Sequence, residues 1–124
     1  MKQVVSTPAA PAAVGPYSQA IRAGNLIFVS GQIPLTAAGD LVEGGIRPQT
    51  EQVLKNLSEI LKAAGSGLDR VVRTGCFLRD MGDFADFNEI YSGFFPSEPP
   101  ARACVEVACL PKNVAVEVEA VALA

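Results

Sequence analysis

The chain has 124 residues, enough for a substantial core, so we predict a single domain over residues 1–124. Apolar residues make up 49% of the chain and charged residues 19%, but no run of about 18 apolar residues occurs, which argues against a membrane span. The high apolar fraction therefore predicts apolar surface buried between subunits. The net charge of −3 without a Lys/Arg cluster argues against a nucleic-acid partner, and the absence of histidine excludes Ser-His-Asp and Cys-His catalysis and removes the commonest metal ligand.

The first part of the chain predicts three short strands, because β-prone runs alternate with proline and glycine. The predicted strands are Val4-Val5 at the sheet edge, Ser18–Arg22 and Leu26–Ser30. A loop rich in proline and alanine runs from Thr7 to Pro16 between the first two strands. Gly31 and Pro34 are predicted to end the third strand in a constrained bend.

Two helices are predicted from apolar residues that recur every three to four positions. The first begins near Pro48, which suits a first helical turn, and ends at Gly65. Its apolar stripe comprises Val53, Leu54, Leu57, Ile60, Leu61 and Ala64. A buried strand follows at Val71–Leu78, and the second helix lies between an N-cap at Asp83 and a stop at Pro96. We interpret its aromatic stripe as core: Phe84, Phe87, Tyr91 and Phe94.

The end of the chain predicts two strands in which charged residues interrupt apolar sequence. Arg102 and Cys104 share one face of the first strand, and Glu117 and Glu119 share one face of the second. A four-residue connection around Leu110-Pro111 predicts a hairpin with Cys104 opposite Glu117 and Arg102 opposite Glu119, all on one face. This cluster suits a small anionic ligand, although a solvated ion pair between Arg102 and Glu119 would use the same residues.

The order of these elements predicts an α+β fold, in which two helices pack on one face of a mixed β-sheet. The opposite face would carry the arginine and the glutamates. We expect a neighbouring subunit to cover that face, because an open sheet surface invites association.

The cysteines and the N-terminus predict a cytoplasmic protein. Cys76, Cys104 and Cys109 form an odd set without CxxC spacing, and the first residues lack the apolar segment of a signal peptide. Reduced thiols are therefore expected.

Six segments, in order along nearly the whole chain, resemble the Rid family of reactive intermediate deaminases, also called YjgF/YER/UK. They are Gly15–Ala20 (GPYSQA), Val29–Pro34 (VSGQIP), Gln49–Leu57 (QTEQVLKNL), Phe87–Tyr91 (FNEIY), Pro100–Val107 (PARACVEV) and Val116–Ala120 (VEVEA). Each segment is weak evidence by itself, but together they are highly specific. The chain is most similar to the RidA subgroup, because Arg102 and the continuation Cys104-Val105-Glu106 are both present.

The resemblance implies a chorismate-mutase-like (YjgF-like) fold, assembled as a homotrimer with an inner barrel and a site at each subunit interface. It implies hydrolysis of 2-iminobutanoate and 2-iminopropanoate, or enamine tautomers such as 2-aminoacrylate, to 2-oxo acids and ammonia. No cofactor is implied, and the expected partners are small 2-imino and 2-oxo carboxylates. The alternative is a binding or regulatory trimer without turnover, since some relatives are assigned translation-inhibiting, ribonuclease or chaperone-like activities.

The resemblance also implies roles for three residues of the last two strands. Arg102 matches the arginine that holds the substrate carboxylate, and its planar fork suits bidentate contact. Glu117 matches the acid associated with the catalytic water. The backbone carbonyl of Cys104 would be the other water ligand, so its thiol need not react.

The remaining matched positions lie elsewhere in the chain. Tyr17 and Ser30 match residues that line the pocket, contributed by the adjacent subunit, and Gly31 would donate a backbone N–H. Asn88 matches a motif position at which a structural role near the helix is equally expected. Cys109 departs from the positively charged residue that the family often has there.

Overall fold

The computed structural model describes residues 1–124 and contains six strands and two α-helices. In chain order they are β1 Lys2–Val5, β2 Ala20–Ala23, β3 Leu26–Gln32, α1 Ile46–Ala63, β4 Val71–Leu78, α2 Phe84–Phe94, β5 Ala101–Glu106 and β6 Val116–Leu123. Every predicted element is present, with ends that differ by a few residues. Neither helix is both long and apolar enough to cross a membrane.

The strands form one mixed sheet in the order β1-β2-β3-β6-β4-β5. Neighbouring strands are antiparallel except β4 and β5, which run parallel and are connected through α2. The predicted mixed sheet and the predicted edge position of β1 are therefore confirmed.

The predicted hairpin between the last two strands is wrong, because β4 lies between β5 and β6. Cys76 of β4 has Cys104 as its register partner on one side and Val118 on the other. β4 is apolar and largely buried, so it satisfies its backbone N–H and C=O groups by pairing along both edges. A hairpin of β5 with β6 would have left one of those edges unpaired.

The residues that we expected on one face are consequently divided between two faces. Thr74 of β4 pairs with Arg102 on one side and with Ala120 on the other, and its side chain is buried. Arg102 therefore lies on the helix side of the sheet. Glu117 and Glu119 alternate with the buried valines of β6 and lie on the open side.

Local sequence accounts for the limits of α1. Pro48 occupies its first turn, as predicted. Gly65 follows the helix with a left-handed φ of 82°, and its N–H donates to Lys62 O while Ser66 N–H donates to Leu61 O at 2.8 Å. This is the Schellman arrangement, which favours glycine because a Cβ atom is strained at positive φ.

The core lies between the two helices and one face of the sheet. α1 contributes fully buried Val53, Leu54, Leu57, Ile60 and Leu61. Phe87 and Tyr91 of α2 are also buried, which confirms the aromatic stripe as core. The opposite face of the sheet carries Glu117, Glu119 and the half-exposed ring of Phe28.

Candidate active site

Two glutamates of β6 stand on the open face, each above a glycine of a neighbouring strand. A Cβ atom on Gly31 would overlap the Glu117 carboxylate and would lie 3.0 Å from Cδ and 3.3 Å from Cγ. A Cβ atom on Gly75 would lie 2.9 Å from a carboxylate oxygen of Glu119. Both carboxylates therefore rest in spaces that only glycine leaves open.

The environment of Glu117 favours its protonated form. Burial raises the pKa of the Glu117 carboxyl above its ordinary value, and the nearby charge of Glu119 raises it further. No donor of the chain hydrogen-bonds this carboxylate to oppose the shift. A raised pKa makes the carboxylate a stronger proton acceptor, which suits general acid–base catalysis.

A β-bulge brings β3 against Glu117. Val29 pairs with Ala120, but Gln32 pairs with Val118, so Ser30 and Gly31 together oppose Glu119 alone. The extra residue bends the strand locally. The predicted bend after Ser30 is thus a bulge within β3, and it sets the position of Gly31 beneath the carboxylate.

Ser30 and Tyr17 each make hydrogen bonds with the loop that precedes β2. Ser30 Oγ donates to Ser18 O at 2.6 Å, and Ser30 N–H donates to Gln19 O at 3.0 Å. Tyr17 Oη accepts from Val14 N–H at 3.3 Å, which leaves the phenol proton free to be donated to a ligand. Ser30 therefore fixes the segment that carries Tyr17, whose ring is half-exposed.

Gln19 anchors the loop beside Tyr17, a role that the sequence analysis missed. Its Oε1 accepts from Thr7 N–H at 2.7 Å, and its Nε2 donates to Pro11 O at 2.8 Å and to Thr7 O at 3.1 Å. The side chain is buried, so these bonds are shielded from water. The sequence feature that indicates this role is a glutamine next to a proline-rich loop. Because proline has no backbone N–H, the carbonyl groups of such a loop have few backbone donors.

Two further buried amides anchor the loop between β3 and α1. Asn56 Nδ2 donates to Ile33 O and Leu35 O, and Gln49 Nε2 donates to Val42 O. These bonds hold the segment from residue 33 to residue 42 against α1. In the sequence both amides belong to a helix motif, which gives no sign of this anchoring role.

The anchored loops and the two glutamates enclose an open groove of about 920 Å³ on the sheet face. Four predicted site residues line it: Tyr17, Ser30, Gly31 and Glu117. Lys112 is the only cation among the lining residues, whereas Glu119 adds a second acid. The remaining wall is largely apolar, so the groove can enclose a small organic molecule.

Arg102 lies away from this groove, on exposed β5. Its Nη1 donates to Asn88 Oδ1 of α2 at 2.7 Å, and its guanidinium carbon lies above three aromatic rings of the same helix. Nε and Nη2 have no partner in this chain. Asn88 thus contacts Arg102, which favours the structural role over direct substrate binding.

Cys104 directs its backbone groups to the free edge of the sheet. Val107 N–H donates to Leu78 O, and alternate residues of a paired strand point their N–H and C=O groups to opposite edges. The carbonyl of Cys104 therefore points outward, next to Arg102 along β5. Its thiol lies on the helix side, packs against the core, and has a pKa raised by burial, which disfavours the thiolate.

The predicted site residues thus form two groups within one chain. The groove group comprises Tyr17, Ser30, Gly31 and Glu117. The edge group comprises Arg102, Asn88 and the Cys104 carbonyl. The predicted contact of Glu117 with Cys104 is absent within the chain, because β4 separates their strands.

A mixed sheet with two helices on one face and an acid-bearing groove on the other defines a class of small α+β domains. A family model described as Endoribonuclease L-PSP matches residues 7–124. The chain therefore belongs to this family, the YjgF/Rid family, which confirms the resemblance found in the sequence.

Full-length relatives and solved structures agree with this assignment. The chain is 50% identical to a RutC family protein of Pyrococcus horikoshii over 98% of each chain. It is 49% identical to the 2-iminobutanoate/2-iminopropanoate deaminase of Mus musculus, over 99% of this chain and 92% of the relative. Yeast Mmf1 has a TM-score of 0.97 at 46% identity, covering 99% of this chain and 98% of its own. E. coli TdcF, solved with bound serine, has a TM-score of 0.94 at 37% identity, covering 98% of both chains.

Proposed function

We propose that this protein hydrolyses 2-iminobutanoate and 2-iminopropanoate, or the tautomer 2-aminoacrylate, to the 2-oxo acids and ammonia. A relative about half identical over nearly the whole chain carries that deaminase name. The raised pKa of Glu117 beside a ligand-sized groove supports the same chemistry. The reaction is a hydrolysis and needs no cofactor. A cytoplasmic location stays a prediction.

The observation that carries the proposal is the division of the site into a groove group and an edge group. Nε and Nη2 of Arg102 have no partner in the chain and the Cys104 carbonyl points to the outer edge of the sheet, whereas Glu117 lies in the groove. A second copy of the chain can bring one group against the other. We therefore propose a homotrimer in which the edge group of one subunit completes the groove group of the next.

The proposed reaction begins with the substrate carboxylate on the Nε–Nη2 edge of Arg102, which is the bidentate geometry that arginine favours. Tyr17 donates a hydrogen bond to the substrate, and Gly31 N–H does the same. A water molecule between Glu117 and the Cys104 carbonyl faces the imine carbon. That carbon is already electrophilic, so position and one acid–base group suffice.

Proton transfer then balances the reaction. Water attacks the carbon of the protonated imine and forms a C–O bond. The π electrons of the C=N bond pass to nitrogen, and Glu117 takes a proton from the water. The resulting carbinolamine receives that proton on nitrogen from the Glu117 carboxyl. The C–N bond breaks, ammonia leaves with the bonding electron pair, and the hydroxyl proton passes to that ammonia, so the products are the 2-oxo acid and ammonium. Glu117 ends in its starting state, so no other reactant is consumed.

The family description favours a ribonuclease as a second candidate. The groove argues against it, because Lys112 is its only cation while Glu117 and Glu119 are acids. A site for an RNA backbone needs cations to neutralise phosphates.

A binding or regulatory trimer without turnover would keep Arg102 but would not need an acid–base group in the groove.

Release of ammonia from freshly formed 2-iminobutanoate tests the proposal. The imine is generated by an amino-acid oxidase acting on 2-aminobutanoate, and ammonia and 2-oxobutanoate are followed with and without the protein. Glu117→Gln should slow turnover by about a hundredfold or more while 2-oxobutanoate still binds. Wild-type protein that binds 2-oxobutanoate but gives no acceleration would support the non-catalytic alternative instead.

A further inference from the structure

Three aromatic rings of α2 face the guanidinium group of Arg102. Its carbon Cζ lies 4.9 Å from the ring centroid of Tyr91, 5.6 Å from that of Phe84 and 5.9 Å from that of Phe87. The negative face of an aromatic ring attracts a cation at these distances. Arg102 thus contacts three aromatic rings, although β5 itself is exposed.

Tyr91, the nearest of these rings, is itself rigidly held. Its hydroxyl hydrogen-bonds Thr74 Oγ1 at 2.7 Å within the core. Its ring packs against Phe87 at 5.4 Å and against Phe95 at 4.7 Å between centroids. Because Thr74 is also the register partner of Arg102, the sheet fixes the ring and the arginine backbone relative to each other.

From this geometry we propose that Tyr91 is a positioning residue for Arg102. The ring contacts the guanidinium and Asn88 accepts from its Nη1, which leaves Nε and Nη2 without a partner in the chain. A free arginine side chain loses much rotamer entropy when it binds a ligand. Orientation by Tyr91 removes part of that loss beforehand, so it strengthens carboxylate binding. The benefit to binding rests on the proposed function, whereas the orientation of Arg102 does not.

Phe95 provides a matched control for Tyr91. Both are buried members of the same aromatic cluster, but Phe95 packs on Tyr91 from a position that does not contact Arg102. Tyr91→Leu and Phe95→Leu each remove one ring from the core. A role in stability alone predicts similar losses of Tm and of activity for both variants.

The experiment compares Tyr91→Leu, Tyr91→Phe and Phe95→Leu for binding of 2-oxobutanoate by calorimetry and for KM and kcat with 2-iminobutanoate. Tyr91→Leu should raise the Kd and KM by about tenfold, with kcat changed by less than about threefold, because one ring-face contact is lost. Tyr91→Phe keeps the ring and should stay within about threefold of wild type, and so should Phe95→Leu at a similar Tm. Equal effects of Tyr91→Leu and Phe95→Leu, or of Tyr91→Leu and Tyr91→Phe, would overturn the proposal.

A ligand-free measurement separates this proposal from the proposed function. In NMR spectra of the wild-type protein, ring currents should shift the guanidinium protons of Arg102 upfield from those of exposed arginines. The shift should persist in Phe95→Leu and Tyr91→Phe and shrink in Tyr91→Leu. Its absence from the wild type would refute positioning by Tyr91, even if the enzyme is active. Its presence without 2-oxobutanoate binding would support the positioning and count against the proposed function.

Discussion

Replacing Gly31 with alanine tests whether the position of the Glu117 carboxylate limits the reaction. The new Cβ atom would overlap that carboxylate, so the side chain must move by about 1 Å or more to regain ordinary contact. Gly31 does not have a left-handed φ, so alanine introduces no backbone strain there. The change therefore acts on Glu117 and leaves the backbone in place.

A displacement of about 1 Å in a reacting group costs about a hundredfold in rate, or about 2.7 kcal/mol of transition-state stabilisation. The stability cost should be no more than about 1 kcal/mol, because the displaced atoms are the end of a side chain beside an open groove. We thus expect a large loss of kcat with a Tm within about 5 °C of wild type.

Gly75→Ala is the matched control, because its Cβ atom meets Glu119 as that of Gly31 meets Glu117. Steady-state turnover of 2-iminobutanoate and thermal unfolding are measured for both variants. Gly75→Ala should keep kcat within about fivefold of wild type, since it displaces an acid that has no assigned proton transfer. Wild-type activity in Gly31→Ala, or equal losses in both variants, would refute the assignment of Glu117 as the acid–base group.

Further predictions concern the edge group, the Cys104 thiol, the Glu117 carboxyl and the assembly. Arg102→Ala should abolish imine hydrolysis in a folded protein and Arg102→Lys should restore little, whereas normal activity in the alanine variant would contradict the carboxylate contact. Cys104→Ser should stay largely active, because only its carbonyl takes part; an inactive variant would indicate thiol chemistry. The pKa of Glu117 is raised in the folded protein, so ionising this carboxyl costs more in the folded than in the unfolded chain, and the free energy of unfolding falls as pH rises from the ordinary pKa through the raised one. Glu117→Gln should therefore raise Tm at pH 7–8 and have little effect near pH 4. Light scattering at micromolar concentration should give three times 12.9 kDa, and an active monomer would contradict a shared site.

Glu119→Gln tests the electrostatic part of the Glu117 pKa shift. Burial of Glu117 would persist, but the neighbouring charge would be gone, so the pKa should fall toward its ordinary value. The base form of Glu117 is lost as pH falls through this pKa. The acid limb of kcat/KM against pH should therefore move to lower pH, and an unchanged limb would mean that burial alone sets the pKa.

Much of the fold could be predicted from local sequence. The stripe of α1 has the period of a helix, and a glycine with positive φ ends that helix as expected at Gly65. Val71–Leu78 was predicted with its observed limits because its apolar run has the length of a buried strand. The identity of several site residues followed from motifs, and Tyr17, Ser30, Gly31 and Glu117 do line one groove.

The arrangement of those residues was decided by strand order, which local patterns do not contain. Arg102 and Glu117 lie on two predicted strands that follow each other in the chain, and a hairpin is the simplest way to connect such strands. The apolar β4 instead lies between β5 and β6 and pairs along both edges. This pairing satisfies its buried backbone N–H and C=O groups. That pairing moves Arg102 to the outer edge and the helix side.

The sequence by itself determined the element types, the family and the chemical groups available, since helix period, strand length and motif identity are all local properties. Only the tertiary structure decided which groups meet. The bulge at Ser30 and Gly31 brings β3 beneath Glu117, and the pairing of β5 with β4 places Arg102 against the rings of α2. Both depend on contacts between segments distant in the chain, where packing and pairing of the backbone outweigh local preference.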